Sequence, residues 1–475
     1  MFDIALSHIL KTLSGIVPRK EGGVSVIDEK ALAGRMDGLA REAVFGEGEA
    51  KTAARWLIWE AAQELGIRPA SIHDFYLARG RGEIAKAHTV PAINLRMMTY
   101  DSARAVFRAA RARDVGALIF EIARSEIGYT GQRPAEYAAT VLAAAIREGF
   151  RGPLFLQGDH FQVSAKKYAS APDAEVKAVR DLVEEAVAAG FDNIDIDTST
   201  LVDLSKETLD EQQRLNYELC ADFARFIRER EPKGVTISIG GEIGEVGQKN
   251  STPEDLDAFM RGFNARRGAL VGISKISIQT GTSHGGVVLP DGTLAKVAID
   301  FDVLRALSDK ARKDFGMGGA VQHGASTLPD SAFHKFVEAG TCEVHLATAF
   351  QNLVMDHPAV PEELKGRVVD WVKTNAAEER KAKDTEAQFI YKSRKKAVGP
   401  FKKEFWSLPD DARAAIGADL EKQFGFLFDQ LGVGGTAELV KKFVKTPEIH
   451  RPMPAGGGAK PGPGGKPLDI SGLAD

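Results

Sequence analysis

Between residues 88 and 350 the chain repeats one pattern: a short apolar run rich in Val, Ile and Phe, then a longer amphipathic segment. The strand-like runs are Thr89–Asn94, Ala117–Ile122, Leu154–Gly158, Asn193–Asp197, Val235–Gly240, Ser274–Gln279, Ala320–His323 and Cys342–Leu346. Short β-branched runs of this kind favour strands. The segments between them carry apolar residues at helical spacing: Tyr100–Ala112, Arg133–Glu148, Asp173–Ala189, Thr208–Arg230, Glu254–Arg261, Phe301–Lys310 and Pro329–Glu338. Strict βα alternation means parallel strands joined by crossover helices. Eight such units predict a closed TIM (β/α)8 barrel over residues 86–350, and one miscounted strand would leave an open sheet instead.

A barrel of roughly 250 residues leaves much of the 475-residue chain outside it. Residues 1–85 read as an N-terminal helical extension, with helices over Ala31–Val44 and Ala50–Leu65. Gly34 and Gly38 weaken the first, each by about 1 kcal/mol against Ala. Residues 351–445 read as a C-terminal helical extension, built from Pro361–Lys396, Pro409–Phe426 and Ala437–Phe443. The charge run Glu378–Lys396 has mixed signs, which fits a solvated helix face better than a polyanion site. Residues 446–475 are rich in Pro and Gly and are expected to be disordered.

Composition removes several function classes. Lys plus Arg is 62 and Asp plus Glu is 66, a net charge of −4. That balance excludes a nucleic-acid binder working by bulk charge. Two cysteines, Cys220 and Cys342, make no disulfide framework and no CxxC pair. No basic leader precedes the first apolar residues, and no run approaches the roughly 20 apolar residues of a membrane span. The expectation is a cytoplasmic protein with no membrane partner.

The C-terminal strand ends of a barrel carry its active site. Here the first strand ends in Asn94, the second near Glu121, the third in Asp159-His160, the fourth in Asp195 and Asp197, and the fifth at Glu242. The sixth leads to His284, the seventh ends at His323 and the eighth contains His345. Four of the chain's 10 histidines therefore fall on one rim. A lone His beside Gly is commonly a satisfied core or loop residue, but imidazoles converging from separate strands suit Zn²⁺ or a similar divalent ion. The candidate ligands are His160, His284 and His323, with Glu242 as a fourth. Without thiolate the set points to a catalytic site with an open position.

Two further signals share these loops. Gly285-Gly286 follow His284, and Gly324-Ala325-Ser326 follow His323. Small residues let backbone N–H groups approach a phosphate, and hydroxyls of Ser326 and Thr327 add donors, although such glycines also serve plain tight turns. Asp159 adjoins His160, where a carboxylate can move a proton to or from a substrate hydroxyl or orient a histidine. The stretch Gly46–Thr52 misses the glycine of a phosphate loop, and Gly316–Gly319 precedes a strand instead of following one.

Gly158-Asp159-His160, Gly241-Glu242-Ile243-Gly244, Gly281-Thr282-Ser283-His284-Gly285 and His323-Gly324-Ala325-Ser326 occur in this order. Together they resemble the class II, metal-dependent fructose-bisphosphate aldolases and their ketose-bisphosphate relatives. The resemblance implies a zinc-type aldolase that cleaves a phosphorylated ketose, most simply fructose 1,6-bisphosphate, into dihydroxyacetone phosphate and an aldehyde. It implies metal ligation by His160, His284 and His323, with Glu242 joining in some states. It implies proton transfer by Asp159, phosphate contact at Gly285, Gly324 and Ser326, and a monovalent cation nearby. A homodimer or homotetramer is the assembly it implies.

The departures are as specific. The eighth strand of these aldolases carries Asn-x-Asp-Thr in contact with substrate; here the run is His345-Leu346-Ala347-Thr348. The serine expected after the second strand is Ala123. Gly128-Tyr129-Thr130-Gly131 is more similar to the accessory subunit of tagatose-bisphosphate aldolase. These changes leave open a non-catalytic accessory barrel or another ketose (bis)phosphate as substrate. By position, Asn94, Gly286, Ala325, His345 and Thr348 complete the expected substrate contacts.

Overall fold

The computed structural model describes residues 2–244, 249–281, 288–290, 299–453, 468–471 and 473. The eight strands of the alternation are β1 (Val90–Asn94), β2 (Ile119–Ala123), β3 (Gly152–Gln162), β4 (Asn193–Asp197), β5 (Ser238–Glu242), β6 (Lys275–Ile278), β7 (Ala320–Gln322) and β8 (Glu343–Leu346). Consecutive strands pair in parallel, β8 pairs β1, and the sheet closes on itself. The chain is therefore a closed eight-stranded (β/α)8 barrel, as the alternation predicts.

The crossover helices lie where the helical spacing put them: Thr99–Arg111, Pro134–Arg147, Pro172–Ala188, Leu209–Arg228, Pro253–Arg267 and Phe301–Phe315. Their starts carry local signals. Thr208 with Glu211 and Thr252 with Asp255 form capping boxes, and Pro134, Pro172 and Pro253 open their helices. The seventh crossover shrinks to a 3-10 turn at Asp330–Ala332 and the short helix His334–Glu338.

The N-terminal extension is not purely helical. Arg19–Lys20 and Gly23–Val24 form a small antiparallel ladder, and Ile67–Pro69 adds a parallel strand beside Gly152–Leu154 at the base of β3. Both pieces are too short for a β-branched run to announce them. The helix Glu29–Phe45 persists through Gly34 and Gly38 because Leu32, Met36, Leu39, Ala40 and Ala43 bury one face of it.

The expected disordered tail needs a correction. Residues 446–453 lie against the helix Gly48–Glu64, where the indole N–H of Trp56 donates to the Arg451 carbonyl at 3.0 Å and that of Trp59 to the Ile449 carbonyl at 2.8 Å. The Arg451 guanidinium stacks 3.4 Å from the Trp59 ring centroid. Buried indole N–H groups require acceptors, and this backbone supplies them in spite of its composition.

The C-terminal extension clasps the rim of the barrel. Thr385 Oγ1 donates to the Pro290 carbonyl at 2.8 Å, Gln388 Nε2 to the Val288 carbonyl at 2.7 Å, and Lys402 Nζ to the Gly131 carbonyl at 3.0 Å. Within the charge run, Lys392 pairs with Asp384, Arg394 with Asp356 and Lys396 with Glu379. Among the described residues no helix is long and apolar enough to cross a membrane.

Asp192, just before β4 at the base of the barrel, gives a stability test. Burial, with Glu231 nearby, pushes its carboxyl up to about 7, whereas an unfolded Asp titrates near ~3.9. A raised folded value favours the protonated fold, so this contribution is complete below the unfolded value and is lost as pH rises through about 7. Asp192→Asn is expected to raise Tm at about pH 8 and to leave it unchanged at about pH 4. An equal shift at both pH values contradicts this account.

Candidate metal centre at the barrel mouth

Adjacent residues of a strand face opposite sides, so Asp159 and His160 cannot both enter the mouth from a regular β3. The register between β3 and β4 shifts between Gly158 and Phe161, and His160 adopts a left-handed φ of 39°. Such a bulge re-aims side chains. Gly158 is required here: a Cβ on it would lie 2.5 Å from the Phe161 ring.

The bulge brings Asp159 and His160 to residues of β4, β5 and β8 and to His323, which follows β7. His160 Nδ1 lies 3.1 Å from Asp197 Oδ2 and 3.5 Å from Glu242 Oε2. His323 Nε2 lies 3.4 Å from Asp159 Oδ1, and the His160 and His323 rings are 4.2 Å apart between centroids. Asp159, His160 and His323 each offer one ligand atom, all within 4.8 Å of one another, as do His160, Asp197 and Glu242. Asp159, His160, Glu242, His323 and His345 are all between 5% and 8% exposed.

Beneath this layer lies a second polar layer. Lys275 Nζ on β6 contacts Glu343 Oε1 at 2.5 Å, Gln157 Oε1 at 2.7 Å and Asp195 Oδ2 at 2.9 Å. Gln157 Nε2 donates to Glu343 Oε1 at 2.8 Å and to Glu121 Oε2 at 3.1 Å, and the Tyr76 hydroxyl also donates to Glu343. His345 on β8 links the two layers.

The electrostatics suit a cation. Burial pushes the Glu121 carboxyl up to about 8, with Asp159 adding to it, and burial next to Asp197 pushes Glu242 well above the usual range. Burial alone would lower His160, but Asp159, Glu242 and Asp197 outweigh it and hold the ring well above its ordinary value. His323 moves the other way: burial first, then His345 and His160, keep it well below, hence neutral. Burial would raise Asp159, but His160 and His345 override it and keep the carboxylate ionised. A divalent ion needs neutral imidazoles and ionised carboxylates, and its binding displaces protons held by groups such as His160 and Glu242. A proton on His160 Nδ1 shared with Asp197 would leave Nε2 as the basic nitrogen. The donors are imidazole and carboxylate, a set that fits Zn²⁺, Co²⁺ or Fe²⁺.

Of the residues expected at the site, Asp159, His160, Glu242, His323 and His345 converge. His284, Gly285 and Gly286 lie outside the described residues. Gly324 has a left-handed φ of 69° and opens the 3-10 turn Ala325–Thr327. Ser326 Oγ accepts the Ala347 backbone N–H at 2.6 Å, which leaves its own proton to donate. Thr348 begins the helix Thr348–Asp356. Asn94 pairs in register with Glu121 and donates through Nδ2 to Glu126 Oε2 at 2.5 Å. Lys275, Glu343, Gln157 and Tyr76 were not among the expected site residues, and Asp197 was expected only as a strand-end carboxylate without a role. Period-two placement would have flagged one of them: Glu343 sits two residues before His345.

Fold and donor set together define a (β/α)8 barrel with an imidazole–carboxylate centre on its C-terminal rim. Residues 83–398 match the family Fructose-bisphosphate aldolase class-II, and the chain belongs to that family. The match runs past the barrel into the C-terminal extension.

Solved structures are similar to this chain at low identity, and the first of them shares its fold. The fructuronate-tagaturonate epimerase UxaE from Cohnella laeviribosi is 13% identical, with a TM-score of 0.57 over 88% of this chain and 93% of that one. A fructose-bisphosphate aldolase from Campylobacter jejuni is 19% identical, with a TM-score of 0.45 over 77% of this chain and 94% of that one. The YdjI aldolase from Escherichia coli K12 is 15% identical, with a TM-score of 0.39 over 72% and 99%. No curated protein sequence matches the chain.

Two tests follow from this geometry. Asp197→Asn alters the carboxylate beside His160 Nδ1 and should weaken Zn²⁺ binding about 10–100-fold, read by competition with a chromophoric chelator; unchanged affinity contradicts the centre. Lys275→Met leaves Asp195 and Glu343 buried without their cation and should destabilise the fold by about 3–5 kcal/mol. Urea unfolding measures this, and a loss below about 1 kcal/mol contradicts it.

Proposed function

We propose that this protein is a divalent-metal-dependent aldolase that reversibly cleaves a phosphorylated ketose, with fructose 1,6-bisphosphate the first substrate to test. The observation that carries the reading is the bulge that sets Asp159 and His160 side by side, next to Glu242 and His323. Family membership supports the aldolase-type reaction. The metal set is His160, His284 and His323, with Glu242 joining it. A divalent ion there supplies the positive charge that offsets the electron pair left when the bond beside a carbonyl-bearing fragment breaks.

The chain's own groups do the rest. Asp159, ionised between His160 and His345, takes the proton from the hydroxyl on the carbon that becomes the aldehyde. In the condensation direction it returns that proton. Glu242, raised by burial, suits a group that exchanges a proton as substrate arrives. Backbone N–H groups at Gly285, Gly286, Gly324 and Ala325 and the Ser326 hydroxyl hold the phosphate, with a monovalent cation beside them. Assembly as a homodimer or homotetramer belongs to the same reading, with no nucleic-acid or membrane partner.

The altered run His345-Leu346-Ala347-Thr348 supports a second substrate class. The fold likeness to the fructuronate-tagaturonate epimerase covers 88% of this chain, so ketose acids form the second arm of a substrate panel. With metal-loaded protein, cleavage of fructose 1,6-bisphosphate that chelator abolishes is the expected result. Asp159→Asn should lower kcat about 10²–10⁴-fold. Undiminished cleavage in that variant removes Asp159 from proton transfer, and cleavage that survives full metal removal removes the metal-dependent reading.

A further inference from the structure

We propose that His345 is a positioning residue that fixes Asp159, and not the sugar contact expected at its place on the eighth strand; the proposal rests on the aldolase reading above. Glu343 and His345 are two residues apart on β8 and so share a face. His345 Nε2 lies 2.7 Å from Glu343 Oε1. Glu343 is itself anchored by Lys275, Gln157 and Tyr76, so it holds the imidazole in one orientation. His345 Nδ1 then faces Glu121 Oε2 at 3.0 Å and Asp159 Oδ1 at 3.2 Å. The ring stands edge-on to His323, 4.1 Å between centroids at 61°, which blocks rotation on that side.

Two consequences separate this residue from the asparagine usual at its position. Both ring nitrogens lie close to buried carboxylates, Nε2 hydrogen-bonded to Glu343 and Nδ1 in charge contact with Glu121 and Asp159. An asparagine is too short to reach Glu343 and Asp159 at once. Asp159 Oδ1 sits between His323 and His345, 3.4 Å from one and 3.2 Å from the other. His323 is a candidate metal ligand, so His345 is the partner that ties Asp159 to the rigid Lys275 layer whether or not the metal is loaded. A held carboxylate supplies orientation, which is a large part of a proton-transfer group's effect.

The test is a double-mutant cycle on the metal-loaded full chain. His345→Gln keeps an amide near the Nε2 position for Glu343 but loses the contact with Asp159. It should lower kcat about 10–100-fold with KM within about twofold, and cost less than about twofold once Asp159 is already Asn. An equal penalty in both backgrounds, or an effect carried by KM, overturns the proposal in favour of a structural or sugar-contact role. His345→Ala, which removes both contacts, provides the same comparison should the Gln variant fail to fold. Crystal structures of whichever variant folds read the Asp159 carboxylate without any assay: a displaced carboxylate supports the proposal and an unmoved one overturns it. If the unsubstituted protein cleaves no ketose in the panel, the aldolase reading fails on its own, while the crystallographic comparison still decides whether His345 holds Asp159.

Discussion

The buried charge balance inside the barrel is the constraint on which the rest depends. Glu121, Asp159, Asp195, Asp197, Glu242 and Glu343 are all buried inside the barrel. Taking a carboxylate out of water costs several kcal/mol unless it is paired. Lys275 answers Asp195 and Glu343 from below. The upper carboxylates have the imidazoles of His160, His323 and His345, of which burial and neighbouring rings keep His323 neutral. The barrel is therefore built with room for added positive charge at its mouth, a charge that a divalent cation could supply without demanding that every histidine carry a proton.

That balance also explains the division of labour between strands. The lower layer is closed: Lys275, Gln157, Tyr76 and Glu343 satisfy one another and lock β3, β6 and β8 together. The upper layer is where Asp159, His160, Glu242 and His323 meet. His345 belongs to both, so a change on β8 that reads as loss of a sugar contact instead joins the rigid floor to the reactive rim. The extensions act at the periphery. The C-terminal one reaches Val288 and Pro290 in the segment after β6 and Gly131 after β2, which ties two rim segments to one body.

Much of this was legible from residue order alone. The β-branched runs located all eight strands, β4 to the residue although Asn193, Asp195 and Asp197 alternate with its two isoleucines. The meeting of His160, His323, His345 and Glu242 was legible because strand ends are where a barrel keeps polar groups. The bulge was not: Asp159 and His160 are neighbours in sequence, and nothing local announces that one takes a left-handed backbone so that both face the cavity. Nor was the role of Lys275, whose carboxylate partners lie 80 and 68 residues away. The order of residues 446–453 was hidden for a similar reason, since the Trp56 and Trp59 donors that hold them belong to a distant helix.

The central claim is that the imidazoles and carboxylates at the barrel mouth hold one reactive divalent ion. Anomalous diffraction from crystals grown with Zn²⁺, collected on both sides of the zinc edge, tests it most directly. The account predicts a peak within about 2.0–2.2 Å of nitrogens from His160 and His323, with His284 as the third imidazole. A zinc peak bound elsewhere, with His160 still shared only between Asp197 and Glu242, would contradict it.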